Sequence, residues 1–218
     1  GVGIAPPGPS NAVTEADTPT LDALLASPLS TSLLAHGAAV GLPSDDDMGN
    51  SEVGHNALGA GRVFDQGAKL VNRAMADGSI YESTVWRDAI RHGREHTLHF
   101  LGLHSDGGVH SSNEQLYQLL EAAADAGVAR VRLHLPLDGR DVPPRSALGF
   151  LARTEEVLAA INQRLRTSGV AADYRIGSGG GRMSITMDRY GADWDMVRRG
   201  YQCHTHGVGR PFASAAEA

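Results

Sequence analysis

Residues 129–144 read Ala129-Arg-Val-Arg-Leu-His-Leu-Pro-Leu-Asp-Gly-Arg-Asp-Val-Pro-Pro144, an apolar run of strand length over Ala129–Leu135 that breaks into charged turn residues. On its N-terminal side Leu116, Leu119, Leu120, Ala123 and Ala124 fall at helical spacing, and Gly127 predicts the stop. Before that helix, Thr97–Leu103 is a second apolar run, ended by Ser-Asp-Gly-Gly. On the C-terminal side Leu148, Leu151, Leu158, Ile161 and Leu165 mark another helix, closed near Gly169. Ala172–Ile176 predicts a third strand running into Gly179-Gly180-Gly181-Arg182, and a helix follows around Trp194–Tyr201. Strand, helix, strand, helix, strand with short links is the pattern of an α/β fold, a parallel sheet with helices on both faces.

The N-terminal part is less regular. Residues 1–13 are rich in Gly, Pro and Ser and read as loop. Thr20 is expected to cap a short helix through Leu21, Leu24 and Leu25, while Ser32–Leu34 and Ala38–Gly41 are short enough for edge strands. A polar loop from Pro43 to Asn50 precedes Val53, Ala57 and Leu58 at helical spacing, which puts Asn50 or Ser51 at a helix N-terminus. Of 218 residues 41% are apolar and 20% charged, so the body of the chain is expected to fold. No stretch approaches the ~18 consecutive apolar residues of a spanning helix, no signal-peptide pattern opens the chain, and a single Cys203 fits a reducing cytoplasm. A net charge of −6 argues against a nucleic-acid partner, and nothing predicts a membrane partner. The chain starts at Gly1 without Met and stops in Ser214-Ala-Ala-Glu-Ala218, which reads as a helix start, so both ends look cut.

In parallel α/β sheets ligands bind beyond the carboxyl ends of the strands. The three loops there hold Asp106, Gly107, Gly108 and His110; then Asp138, Arg140 and Asp141; then Arg182, with Asp188 and Arg189 further on. One such loop reads as a turn, but three in succession read as a site. Guanidinium groups beside a histidine suit an anion bearing phosphate and carboxylate. Asp141 can take a proton from a substrate hydroxyl or orient Arg140 by ion pairing, and the two roles are compatible. Ser51 sits between small residues at a helix start, where amide groups favour a phosphoryl group. A bare hydroxyl needs a base or a metal, however, and spacing alone leaves it a helix cap. Asp45–Asp47 reads as a solvated acidic loop, Cys203-His204-Thr205-His206 as a helix end, and the glycine run lacks both the GxGxxG spacing and a P-loop Lys.

The stretch Met48-Gly-Asn-Ser-Glu-Val-Gly-His-Asn-Ala-Leu-Gly-Ala-Gly-Arg62 strongly resembles the cofactor-independent (2,3-bisphosphoglycerate-independent) phosphoglycerate mutases. Leu103-His-Ser-Asp-Gly-Gly-Val-His-Ser111, Leu137-Asp-Gly-Arg-Asp-Val142 and Gly179-Gly-Gly-Arg-Met-Ser-Ile-Thr-Met-Asp-Arg-Tyr190 agree in the family's order. The resemblance implies conversion of 3-phosphoglycerate to 2-phosphoglycerate in glycolysis and gluconeogenesis, without 2,3-bisphosphoglycerate as cofactor. It implies an alkaline-phosphatase-like domain with two Mn²⁺ ions (Mg²⁺ as a substitute), into which a transferase domain is inserted. By motif match Ser51 would be the phosphoryl-accepting nucleophile and a metal ligand, and Asp141 would aid proton transfer. His110, Arg140, Asp141, Arg182 and Arg189 would bind the substrate. Residues 1–66 would then begin the phosphatase domain and residues 67–218 would form most of the transferase domain, in a cytoplasmic monomer. A metal-dependent phosphatase, a phosphopentomutase-like relative or an inactive truncated remnant are the alternatives.

The resemblance also shows departures. Gly1-Val2-Gly3 matches only the tail of the family's Asp-Gly-aromatic-Gly metal motif, and its further Asp and His ligands have no counterpart in these residues. The 218 residues by themselves are therefore expected to bind Mn²⁺ weakly and not to turn over. Mutase activity in a purified polypeptide of this length would overturn that expectation.

Overall fold

A computed structural model of the chain describes residues 5–188 and 191–217; Gly1-Val2-Gly3 and Arg189 lie outside the described residues. Two compact units result, one reaching to Leu34 and the other starting at Ala35. In the first, α1 (Ala12–Glu15) is capped by Asn11, whose side chain accepts from the Val13 and Thr14 amides. Helix α2 (Pro19–Leu25) starts one residue before Thr20, so Thr20 is not its cap. Pro19 takes the first helical position, where a missing N–H costs nothing and its fixed φ suits the helix.

Neither Ser32–Leu34, in the first unit, nor Ala38–Gly41, in the second, forms a strand. Residues 32–34 carry no regular structure, and Gly37–Val40 is a turn of 3₁₀ helix. No neighbouring strand offers these few residues a ladder, so local hydrogen bonding wins. Helix α3 (Ser51–Ala60) begins as expected: the Asn50 side chain accepts from the Val53 amide. Val40, Leu42 and Val53 form a small apolar cluster beneath it. Helix α4 (Gly67–Ala76) starts after Gln66, at the boundary of two segments within the second unit. Gln66 ties that boundary to the preceding segment, its side chain donating to the Val40 carbonyl at 3.0 Å.

Helix α5 (Thr84–Glu95) leads into β1 (Leu98–Leu101), α6 (Asn113–Asp125), β2 (Arg130–Leu137), α7 (Ala147–Thr167), β3 (Asp173–Gly181) and α8 (Trp194–His206). The strands form one parallel sheet in the order β1-β2-β3. Both crossovers advance in the same direction, so right-handed connections put α6 and α7 on one face. Val131, Leu133 and Leu135 of β2 meet Leu120, Ala123 and Ala124 of α6 and Leu158, Ile161 and Leu165 of α7 there, all buried. The buried Tyr174 hydroxyl donates to the Val128 carbonyl at 2.8 Å, satisfying the one polar atom it brings into this core. Pro136 lacks a ladder donor, but it falls where β1 has already ended.

Two sequence expectations change at the far edge. The glycine run is strand, not loop: β3 continues through Gly181. Its register against β2 slips after Leu133, which faces Ile176, so that His134 faces Ser178 and Gly177 is the extra residue. By plain alternation Ser178 would share the core face with Tyr174 and Ile176; the extra residue flips it to the opposite face. At Gly179 a Cβ would lie 3.0 Å from the Leu135 carbonyl oxygen, so glycine is what lets β3 press against β2. Helix α8 covers that opposite face, with His204 hydrogen-bonded to Ser178. A Cβ on Gly200 would come within 2.6 Å of the Thr186 amide nitrogen, so glycine sets the approach of α8 to residues 184–187. Ser214–Glu217 makes one turn, with the Glu217 amide donating to the Ser214 carbonyl.

Burial within α7 is lopsided, and this makes a direct test of the core. Leu158 is 1% exposed and Leu148 is 64% exposed. In urea unfolding, Leu158→Ala should lose about 2–5 kcal/mol, while Leu148→Ala should stay within about 0.5 kcal/mol of the parent. Equal effects would contradict this packing.

Candidate active site

The loops after the three strands meet as expected. Beyond β1, His104 rejoins the sheet edge, its amide donating to the Pro136 carbonyl at 2.8 Å. Ser105 follows, buried, with its amide donating to Asn113 at the start of α6. Beyond β2 comes Asp138, and beyond β3 comes Arg182, whose amide donates to the Leu137 carbonyl at 2.9 Å. Parallel pairing therefore delivers the three loops to one end of the sheet, with β2 in the middle.

Asp138 is the best-satisfied group there. Its Oδ1 accepts from the backbone amides of Gly139, Arg140 and Asp141 at 2.8, 2.9 and 3.2 Å. The same oxygen accepts from Arg182 at 3.0 Å, and Oδ2 accepts from the Ser105 hydroxyl at 2.6 Å. Burial alone would raise the Asp138 pKa. The bonds from Ser105, the Arg140 and Asp141 amides and Arg182 outweigh burial and hold the carboxyl well below the usual range.

Arg182 is buried at the rim and paired with two carboxylates. Its side chain is 6% exposed, and its NH1 donates to both Asp138 and Asp141, the latter at 2.7 Å. Burial pulls its pKa down, but the two carboxylates outweigh that and raise it, so Arg182 stays charged. Its Nε is buried without a partner. Asp141 thus has Arg182 as an ion-pair partner, which the sequence did not suggest. The same Asp141 oxygen lies 3.8 Å from His110 Nε2, and the His110 side chain is half exposed. Arg140 is exposed at the same rim.

Ser51 stands apart from this group. It is exposed at the first position of α3, with its hydroxyl 3.1 Å from His55 Nδ1. That nitrogen also lies 2.7 Å from the Ser51 carbonyl oxygen. A carbonyl only accepts, so Nδ1 carries the hydrogen and His55 is not placed to take the serine's proton. Ser51 makes no hydrogen bond to His110, Asp141 or Arg182 among the described residues. Its loop comes close to the rim at Gly108, where a Cβ would lie 3.2 Å from Asp47 Oδ1. Asp45 and Asp47 tie the loop together by accepting from Ala38 and Ser44. Among the described residues no three His, Cys, Asp or Glu side chains converge to hold a metal. Ser51 would bring a single oxygen, so these residues do not by themselves make a Mn²⁺ centre.

Two polar clusters were not legible from spacing. Thr154 donates to the Phe150 carbonyl, leaving its lone pairs to accept from the Tyr117 hydroxyl at 2.9 Å and His104 Nε2 at 2.8 Å. On the opposite face His99, His134, Ser178 and His204 run in a chain of bonds of 2.7–2.8 Å. A groove of about 460 Å³ lies beside α6, between Tyr81, Glu114, Asp125 and Arg153. Its carboxylates outnumber its one arginine, so it suits a phosphorylated substrate poorly. No helix among the described residues is long and apolar enough to cross a membrane.

Residues 71–218 match the family model "BPG-independent PGAM N-terminus". A protein of Trypanosoma brucei brucei named 2,3-bisphosphoglycerate-independent phosphoglycerate mutase is 52% identical over 223 residues, covering all of this chain and 39% of that protein. A probable enzyme of the same name from Leptospira interrogans is 51% identical, with the same coverage. A crystal structure of Leishmania mexicana phosphoglycerate mutase at low cobalt concentration superposes with a TM-score of 0.83 at 48% identity. It covers 94% of this chain and 37% of that one. The chain thus spans about two fifths of the length of the curated relatives it matches.

Burial holds His104 down to about 4, and burial with the nearby His99 and His204 does the same for His134. Both sit at 6.5 when unperturbed, so the unfolded chain binds more protons and stability falls as pH drops from 6.5 towards 4. Urea midpoints should show a loss on the order of 1 kcal/mol per imidazole between pH 7.5 and 5. A midpoint that does not move over this range would contradict neutral burial.

Proposed function

Because the chain belongs to the BPG-independent phosphoglycerate mutase family, we propose that it forms part of an enzyme interconverting 3-phosphoglycerate and 2-phosphoglycerate. It would act in glycolysis and gluconeogenesis, without added 2,3-bisphosphoglycerate. The observation that supports this most directly is the convergence of Arg182, Asp141 and His110, with Arg140, at the carboxyl ends of three parallel strands.

By its match to the family's motif, Ser51 would be the phosphoryl acceptor. Its hydroxyl oxygen gives up its proton and forms a bond to phosphorus as the bond from phosphorus to the 3-oxygen of glycerate breaks, and the departing 3-oxygen takes up a proton, giving a phosphoserine and glycerate. The first amides of α3 have no intrahelical acceptors and favour the transferring anion. Glycerate must then stay bound while it turns, and the arginines of the rim, with Arg189, hold its carboxylate. The 2-hydroxyl oxygen then attacks the phosphorus of the phosphoserine as the bond from phosphorus to the serine oxygen breaks; Asp141 takes the 2-hydroxyl proton, and the freed serine oxygen is reprotonated. Ser51 would contribute one oxygen to Mn²⁺, which, held also by groups outside these residues, would lower the pKa of the serine hydroxyl and neutralise charge on the transferring phosphoryl group. Residues 1–66 would serve the phosphatase domain and residues 67–218 the transferase domain of a cytoplasmic monomer that takes a small phosphoglycerate and no nucleic acid or membrane.

The test uses the enzyme that contains this chain. Ser51→Ala should lower kcat by about 10³-fold or more and abolish labelling of the protein by substrate phosphate, while Arg182→Gln should raise KM about tenfold. Full labelling of Ser51→Ala would remove Ser51 from the reaction. Free phosphate as the main product of the parent enzyme would favour a phosphatase over a mutase.

A further inference from the structure

The two carboxylates on Arg182 are not equivalent. The Asp138 side chain is fully buried, whereas that of Asp141 is 14% exposed. Asp138 has five donors and no freedom to turn: three successive amides, a guanidinium and a hydroxyl surround it. Its hydroxyl partner is equally fixed. Ser105 is 1% exposed, its amide donates to Asn113, its carbonyl accepts from the Asn113 amide, and its hydroxyl accepts from Gly107. Asp141 presents one and the same oxygen to Arg182 and to His110.

This asymmetry bears on the reaction proposed above. When Asp141 takes a proton from a substrate hydroxyl it becomes neutral and no longer balances the charge of Arg182. A buried guanidinium stripped of its counter-charge is strongly disfavoured, and the unpartnered Nε of Arg182 leaves it one bond short already. We propose that Asp138 is a positioning residue, the permanent counter-ion of Arg182, and that it thereby frees Asp141 to exchange between Arg182 and the substrate. This inference rests on the mutase reading. Asp138 touches neither substrate nor the reacting atoms, and it acts through Arg182. The same carboxylate gathers the amides of residues 139–141, so the turn that carries Arg140 and Asp141 is aimed by the group that holds Arg182.

Asp138→Asn tests the charge while keeping the shape. The amide oxygen can still accept from the backbone, and the amide nitrogen can donate to the Ser105 hydroxyl. In the enzyme containing this chain, Asp138→Asn should lower kcat/KM for 3-phosphoglycerate by about 30-fold, and combining it with Arg182→Gln should add less than about threefold to the loss from Arg182→Gln alone. Losses that multiply in the double variant, or a kcat/KM within about twofold of the parent for Asp138→Asn, would overturn the proposal. A purely structural role would lower the melting temperature without this coupling. Should Asp138→Asn fail to fold, Ser105→Ala decides. It releases one Asp138 oxygen and should cost about fivefold in kcat/KM, a loss that vanishes in the Arg182→Gln background. No loss, or an undiminished one, would overturn the proposal. If the parent enzyme does not interconvert the phosphoglycerates at all, the mutase reading fails first. If it does and the Asp138 variants match it, only this inference fails.

Discussion

Strand β2 pairs in parallel with a strand on each side, and parallel pairing forbids a tight turn between partners. Each strand must be followed by a helix that returns the chain to the same starting edge, so α6 and α7 are demanded by the sheet. The same constraint leaves three loops at one end, each beginning where a strand runs out. Val131, Leu133 and Leu135 bind the helices on one face, and the residue after the strand, Asp138, collects the loops. Fold and candidate site are thus two ends of one strand.

A site made of charges must keep those charges when water is excluded. Arg182 would be costly to bury alone, and Asp138 would be costly to bury without donors. Placed together, with three backbone amides and the Ser105 hydroxyl completing the shell, both stay ionised. The rigid part of the rim is Asp138, Ser105 and Arg182. The adaptable part is His110 and Arg140, which are exposed, and Asp141, whose side chain is 14% exposed. Ser51 belongs to neither, because its helix stands on the small Val40, Leu42 and Val53 cluster and not on the sheet.

The regular half of the fold was legible because it follows from periodicity. The strand and helix positions of residues 97–167 follow from where Leu, Val and Ala recur, and of the residues that mark the two helices Leu120, Ala123, Ala124, Leu151, Leu158, Ile161 and Leu165 are buried whereas Leu148 is exposed. The weaker readings were those with no tertiary partner in view. Ala38–Gly41 looked like strand but coils into a 3₁₀ turn, and Thr20 lies inside α2 instead of capping it. The glycine run looked like a loop but extends β3, because β2 alongside supplies the ladder that glycine cannot specify alone. At the site, residue types at strand ends pointed to His110, Arg140, Asp141 and Arg182. The signal that marked Arg182 as charged said nothing of its burial, and Ser105 carried no signal at all.

The sequence by itself determined the order of strands and helices from residue 97 onward, the parallel sheet, the end of the sheet where polar residues gather and the family resemblance, since all of these depend on local pattern and residue identity. Only the tertiary structure decided which charges face each other. The single extra residue at Gly177, invisible to a pattern of period two, turns Ser178 from the core to the histidine face. Asp138 and Arg182 are 44 residues apart in the chain and 3.0 Å apart in space. Whether a carboxylate so placed is a turn-former, a substrate ligand or a buried counter-ion depends on the electrostatic environment of its neighbours, which exists only once the three loops have met.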